Sequence, residues 1–229
     1  MATMNRCPSW NGYCKPDRAM PGLNEWNGRS MRPRFLWGRA STYSSPDLLE
    51  SRKHMTTVAE RVRQSLRAIP DYPKPGILFQ DITPVLGDGQ LLAEVVREMV
   101  RPFGDRKVTH VLGIEARGFI LGGAAAMVLG AGFVPARKPG KLPWERATEA
   151  YDLEYGSDSL EAHRDSWPRG SRVLVVDDVL ATGGTARAAG QLARGLGAEV
   201  VGWSFLLEID GLGGRSRLEG GQCHVLARG

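Results

Sequence analysis

A run of branched apolar residues, Val173-Leu174-Val175-Val176, stops at two adjacent acids, Asp177 and Asp178, and continues as Val179-Leu180-Ala181-Thr182-Gly183-Gly184-Thr185. Four successive apolar residues of this kind suit a strand buried on both faces. From Thr185 to Leu196 the pattern turns helical, and Gly197 supplies the stop. A buried strand, a small-residue turn and a helix, in that order, restrict the chain to an α/β architecture. The turn also carries chemistry. Gly183 and Gly184 let the backbone approach a ligand closely. Thr182 and Thr185 offer hydroxyls, and the helix start presents unpaired N–H groups with a partial positive charge. Together these make an anion site suited to phosphate. The two carboxylates beside it suit hydroxyl groups or a metal-bearing sugar, not the phosphate itself. Taken singly, the acids could merely end a strand and the glycines merely turn the chain; their order favours the phosphate reading. The run lacks the Gly-Lys-Ser/Thr of a P-loop and does not follow Gly-x-Gly-x-x-Gly.

The rest of the body repeats the alternation of strand and helix. Thr57 followed by Glu60 reads as a capping box, and Val58, Val62, Leu66 and Ile69 mark an amphipathic helix behind it. Pro70, Pro73, Pro75 and Gly76 form a rigid turn. Leu91–Val100 reads as a helix with Leu92, Val95, Val96 and Met99 inward. Strands are expected at Val108–Ile114, Phe133–Ala136, Arg172–Val176 and Glu199–Leu207, with a small-residue helix at Phe119–Leu129. This pattern predicts a parallel sheet covered on both faces.

Residues 1–55 differ in kind. They hold nine Lys/Arg against four Asp/Glu, while residues 56–229 hold 21 of each, so the net charge of +5 belongs to this leader. With no basic stripe in the body, no nucleic-acid partner is expected. The leader lacks periodicity and a continuous apolar stretch of the secretory type. Its arginines and serines allow a transit peptide, but Asp17, Glu25, Asp47 and Glu50 count against one. We read 1–55 as a disordered extension, 56–229 as the domain, and Met55 as a candidate biological start. The longest apolar stretch, Gly118–Val134, is interrupted by five glycines, so no membrane span is expected. Three cysteines, Cys7, Cys14 and Cys223, without metal-ligand spacing fit a reducing compartment and point to the cytoplasm.

The Val175–Thr185 run resembles the motif with which type I phosphoribosyltransferases bind phosphoribosyl diphosphate (PRPP). The resemblance implies that Ala181, Thr182, Gly183, Gly184 and Thr185 hold the 5′-phosphate and that Asp177 and Asp178 face the ribose hydroxyls. Gly113-Ile114-Glu115-Ala116-Arg117-Gly118-Phe119 resembles the diphosphate loop of the adenine phosphoribosyltransferases; alone, Glu115 and Arg117 would read as a surface ion pair. Family members can carry a non-proline cis peptide in this loop. Arg137-Lys138-Pro139-Gly140-Lys141 alone is a solvated basic turn, but the resemblance assigns Arg137, Lys138 and Lys141 to the diphosphate. The segment onward to Tyr151-Asp152-Leu153-Glu154-Tyr155-Gly156 resembles the family's mobile catalytic flap. By that resemblance Glu154 contacts the purine imidazole edge and handles its proton. Ile69–Pro84 resembles a purine hood, in which Phe79 stacks on the base. Gln80 departs from the basic residue common there, a mild change if the base is read by backbone and a loss of affinity if by side chain. Leu207–Arg215 also matches the bacterial members.

The resemblance covers about residues 56–221. It implies an α/β, parallel-sheet type I phosphoribosyltransferase fold with a small purine hood and a mobile flap. The implied reaction joins adenine and PRPP to give AMP and diphosphate. The implied cofactor is Mg²⁺ held mainly by the substrate without direct protein ligands, and the implied assembly is a homodimer. Two other readings share the phosphate loop: a transferase for hypoxanthine, guanine or xanthine, and a non-catalytic PRPP-sensing regulator. The hood and the Leu-Glu-Tyr-Gly segment favour adenine; the flap and cationic loop favour an enzyme.

Overall fold

The structure, a computed structural model, describes residues 56–152 and 157–229. The leader and residues 153–156, with Glu154, lie outside the described residues.

The first element is α1, Val58–Ser65. Its capping box is formed as expected: Glu60 N–H donates to Thr57 Oγ1 at 3.2 Å, and Thr57 N–H donates to Glu60 Oε2 at 2.7 Å. The helix is shorter than the apolar spacing implied. Leu66 already has extended backbone, and Ile69 lies in a strand, β1, Arg67–Ile69. Ile69 precedes Pro70, whose ring disfavours helical backbone in the residue before it. β1 pairs antiparallel with β2, Phe79–Asp81, placing Ile69 opposite Phe79 and Ala68 opposite Gln80. These strands and the proline turn between them form the hood.

Two helices follow, α2 at Thr83–Gly87 and α3 at Gly89–Val100. Asp88 caps α3 by accepting from Gln90 N–H and Leu91 N–H, each at 3.0 Å. Its buried face is Leu91, Val95, Val96, Met99 and Val100; Leu92, expected inward, is only half-buried.

The central sheet is parallel, in the order β4-β3-β7-β8-β9. β3 is His110–Ile114 and β4 is Gly132–Ala136, joined by α4, Gly118–Leu129. β7 is Arg172–Leu180 and β8 is Glu199–Glu208, joined by α5, Gly184–Gly195; β9 is Gln222–Arg228. The expected elements are therefore present, with two corrections. β7 does not stop before the acids, because pairing with β8 continues as Asp177 with Phe205 and Val179 with Leu207. And β9, a strand the apolar pattern had not marked, closes one edge.

Alternation along the strands divides the core in two. Leu112, Ile114, Val173, Val175, Trp203 and Phe205 pack with Ala188, Ala189 and Leu192 of α5. Val111, Leu174, Val176 and Leu206 pack on the other face with Val95, Val96, Met99 of α3 and Leu121, Ala125 of α4. The segment expected as a flap is largely a hairpin. β5, Arg146–Asp152, pairs antiparallel with β6, Ser157–His163, and its Tyr151, Leu160 and Ala162 join the α5 side of the core.

From β3 the chain crosses to β4 on one side, and from β7 to β8 on the other. The C-terminal ends of β3 and β7 thus flank a switch in direction, where parallel sheets leave a crevice.

Candidate active site

The anion loop occupies that crevice. Gly183 caps α5 with φ +80°, a conformation that disfavours L side chains. A Cβ on Gly183 would stand 2.4 Å from Gly214 O, and one on Gly214 only 2.1 Å from Ala181 O. The loop is therefore braced, main chain on main chain, by the Gly214–Arg217 turn. That turn is fixed in its own right: Arg215 donates to both Glu208 oxygens, at 3.3 and 2.9 Å, and to Cys223 O at 3.1 Å. Asp177 and Ala181–Thr185 line a pocket of about 90 Å³ at the start of the twelve-residue α5, where helix N–H groups and dipole favour an anion.

A second cavity, of about 330 Å³, adjoins it and is lined by Glu115, Ala116, Arg117, Lys138, Asp177, Asp178, Val179, Ala181 and Thr185. The structure thus gathers one wall each from the phosphate motif, the diphosphate-loop motif and the cationic turn. The Glu115–Ala116 peptide is cis. Gly118 lets α4 begin against β7, since a Cβ there would lie 2.7 Å from Asp177 Oδ1.

The cations are already paired. Arg117 Nε donates to Asp178, and Arg117 lies over the Phe79 ring at 5.5 Å. Glu115 gathers the cationic turn, accepting from Lys141 Nζ, from Lys138 N–H at 2.9 Å and from Arg137 Nε at 3.4 Å. Burial works against the charged Glu115, but these donors outweigh it and hold the carboxyl below its usual range. Glu115 thereby binds the diphosphate-loop wall to the cationic turn. Arg137 and Lys141 reach the cleft through Glu115, whereas Lys138 lines it directly.

Asp178 is 6% exposed, and Asp177 is half-buried with Oδ1 accepting from Asp178 N–H at 2.8 Å. Burial, then the neighbouring Asp178 charge, pushes the Asp177 carboxyl well above the ordinary carboxylate range. Above the cleft, Phe79 is half-buried with the Tyr72 ring edge-on at 5.2 Å, and Gln80 follows it on β2.

This arrangement has counterparts of known identity. Residues 87–217 match the model of the phosphoribosyl transferase domain family. Over 163 residues the chain is 56% identical to the adenine phosphoribosyltransferase of Myxococcus xanthus, covering 71% of this chain and 89% of that one. The chain belongs to the adenine phosphoribosyltransferase family. Two crystal structures of members superpose on it. The enzyme of Rhodothermus marinus gives a TM-score of 0.72 at 50% identity, covering 75% of this chain and 98% of its own. That of Saccharomyces cerevisiae, solved with an imino-altritol bisphosphate and adenine, gives 0.70 at 39% identity, covering 74% and 98%.

Two features of this family member's cleft escaped the motifs. The Gly214 brace had only a pattern match at Leu207–Arg215, with no role attached. Tyr151 and Asp158, which engage Lys138, had no signal in sequence, because their contact depends on the β5–β6 register.

The raised Asp177 carboxyl has a measurable consequence. An acid whose folded pKa exceeds its unfolded value, about 3.9, lowers stability as pH rises through that interval; below it the penalty is absent. Asp177→Asn keeps the shape and the acceptor. It is expected to raise the melting temperature of the ligand-free protein by about 3 °C at pH 7, with the gain shrinking toward pH 4. Paired thermal melts across this range check it; a variant less stable at pH 7 contradicts the assignment.

Proposed function

We propose that this chain transfers the phosphoribosyl group of PRPP to adenine, giving AMP and diphosphate. The observation that carries the reading is the joined pair of cavities: an anion pocket opens, across an acid pair, onto a cleft lined by Arg117 and Lys138. A ligand with phosphate at one end, sugar hydroxyls in the middle and diphosphate at the other matches this order of chemistry.

In this reading the 5′-phosphate rests on Ala181–Thr185. Asp177 and Asp178 accept from the ribose 2′- and 3′-hydroxyls. Arg117 exchanges its bond to Asp178 for a diphosphate oxygen, and Lys138 supplies a second cation, with Arg137, Lys141 and Glu115 shaping the turn that carries it. Ala116 of the cis peptide offers main chain to the same group. Phe79 covers the base, with Gln80 beside it.

The C1′–O bond to diphosphate breaks, the C1′–N9 bond to adenine forms, and the N9 proton passes to Glu154 or to water. Positive charge grows on the ribose and negative charge on the diphosphate, so correctly placed donors lower the barrier. In this reading the flap segment, residues 141–156 with Glu154, closes over the substrates and keeps water from C1′.

Mg²⁺ neutralises diphosphate charge when bound. Among the described residues no group of three or more His, Cys, Asp or Glu could hold a metal ion. Two carboxylates facing a phosphate-bearing ligand fit an ion carried chiefly by that ligand's own oxygens.

We place the enzyme in the cytoplasm, on the strength of its sparse cysteines. No described helix is long and apolar enough to cross a membrane. We read it as a homodimer. α4 is apolar around its whole circumference, yet Ile120, Met127 and Val128 are exposed, Met127 to 85%. With Leu92, Ala93 and Val96 of α3, the Met127 and Val128 side chains line an apolar groove of about 300 Å³, a surface suited to association.

The decisive assay is nucleotide formation from PRPP and Mg²⁺ with adenine, hypoxanthine and guanine in parallel. AMP is the expected product and the other bases are expected to be inert; turnover of another base alone would overturn the hood assignment. Glu154→Gln is expected to reduce kcat about 100-fold with an unchanged melting temperature, and full activity would remove its role. Light scattering is expected to give twice the 25.0 kDa chain mass, and Met127→Glu to shift it toward one chain.

A further inference from the structure

Lys138 lines the diphosphate-side cleft, yet its ammonium is held from the hairpin. It donates to the Tyr151 hydroxyl at 2.6 Å and to Asp158 Oδ2, and it lies over the Tyr151 ring at 5.3 Å. The Tyr151 hydroxyl donates to the same Asp158 oxygen at 3.2 Å, while Asp158 Oδ1 accepts from Ser159 N–H at 2.7 Å. Tyr151 and Asp158 are direct partners across β5 and β6, so their side chains share one face. Burial opposes charge on both Lys138 and Asp158. Their mutual bonds outweigh it, holding the ammonium above and the carboxyl below their usual ranges. One rung further, Asp152 faces Ser157, the last described pair before residues 153–156.

We propose that Asp158 is a positioning residue for phosphoribosyl transfer: it fixes the Lys138 ammonium at the diphosphate cleft and ties it to the β5–β6 strand pair. The inference rests on the reading of Lys138 as a diphosphate cation. A free lysine is a flexible point charge that loses much rotamer freedom when it meets an anion. Held by a phenol and a carboxylate, it is ordered before the substrate arrives. Two of its three N–H donors are then engaged, and the third remains for a diphosphate oxygen. The leaving diphosphate gains charge as the C1′–O bond breaks, so an ammonium kept in place contributes more in the transition state than in the ground state. Loss of Asp158 therefore falls on kcat rather than on KM.

The test is a double-mutant cycle in AMP formation at saturating adenine with PRPP varied. Lys138→Met is expected to lower kcat about 100-fold, and Asp158→Asn about tenfold with KM for PRPP within about twofold. Asp158→Glu is expected to recover most of the loss. The double variant is expected to be no slower than Lys138→Met alone, because Asp158 acts through Lys138. Additive losses, or full kcat in Asp158→Asn, overturn the proposal while leaving Lys138 in its role. Wild-type kinetics in Lys138→Met remove the underlying assignment, and the proposal with it. If Asp158→Asn does not fold, Tyr151→Phe takes its place in the cycle: it removes the hydroxyl from both partners and keeps the ring, and the same non-additivity is required.

Discussion

Parallel pairing of β3 with β7 is the constraint from which the cleft follows. His110 opposite Val173 and Gly113 opposite Val176 set the register. That register brings the Glu115–Arg117 turn level with the acid pair, although some sixty residues separate them in sequence. The chain leaves β3 and β7 in opposite directions across the sheet, so no connection crosses the gap between their ends. The two cavities lined by the acid pair, among the described residues, sit in that gap.

The walls are then joined by charge. Arg117 reaches Asp178, while Arg137, Lys141 and the Lys138 main chain reach Glu115. The cleft's cations thus have carboxylate partners within the protein. In the proposed reading a substrate rich in negative charge displaces these carboxylates rather than water alone, and binding is an exchange of partners. Asp177 is the opposite case: among the described residues its carboxyl forms no ion pair, and burial with the Asp178 charge outweighs the pull of Arg117.

Sequence exposed those parts of the site that are local. The strand, acids, turn and helix of Val173–Thr185 are contiguous, so their order carries their geometry. Thr57 and Glu60 announce a helix start for the same reason. Contacts set by tertiary pairing were illegible. Val58, Val62, Leu66 and Ile69 have helical spacing, but Pro70 and pairing with Phe79 draw Ile69 into a strand. The acids looked like the end of β7 because polar residues seldom continue a buried strand; β8 extends the ladder past them. β5 and β6 mix charged, small and apolar residues and give no clean alternation, so the two strands within the segment expected as a flap went unmarked. Lys138 was legible as a cation, but its tie to Asp158 depends on cross-strand register.

The contact between Gly183 and Gly214 carries a consequence for how such a cleft can change over evolutionary time. Two main-chain segments meet there with no side chain between them, so neither position has a smaller neighbour that could yield. A substitution at one glycine finds no compensating substitution at the other, because both already lack a side chain. Repair would have to come from the spacing of the chain between Leu180 and Arg215, by insertion or deletion rather than by exchange of residues. The Ala181–Thr185 loop and the Gly214–Arg217 turn are therefore coupled through main chain, where a change in length reaches and a change of side chain does not.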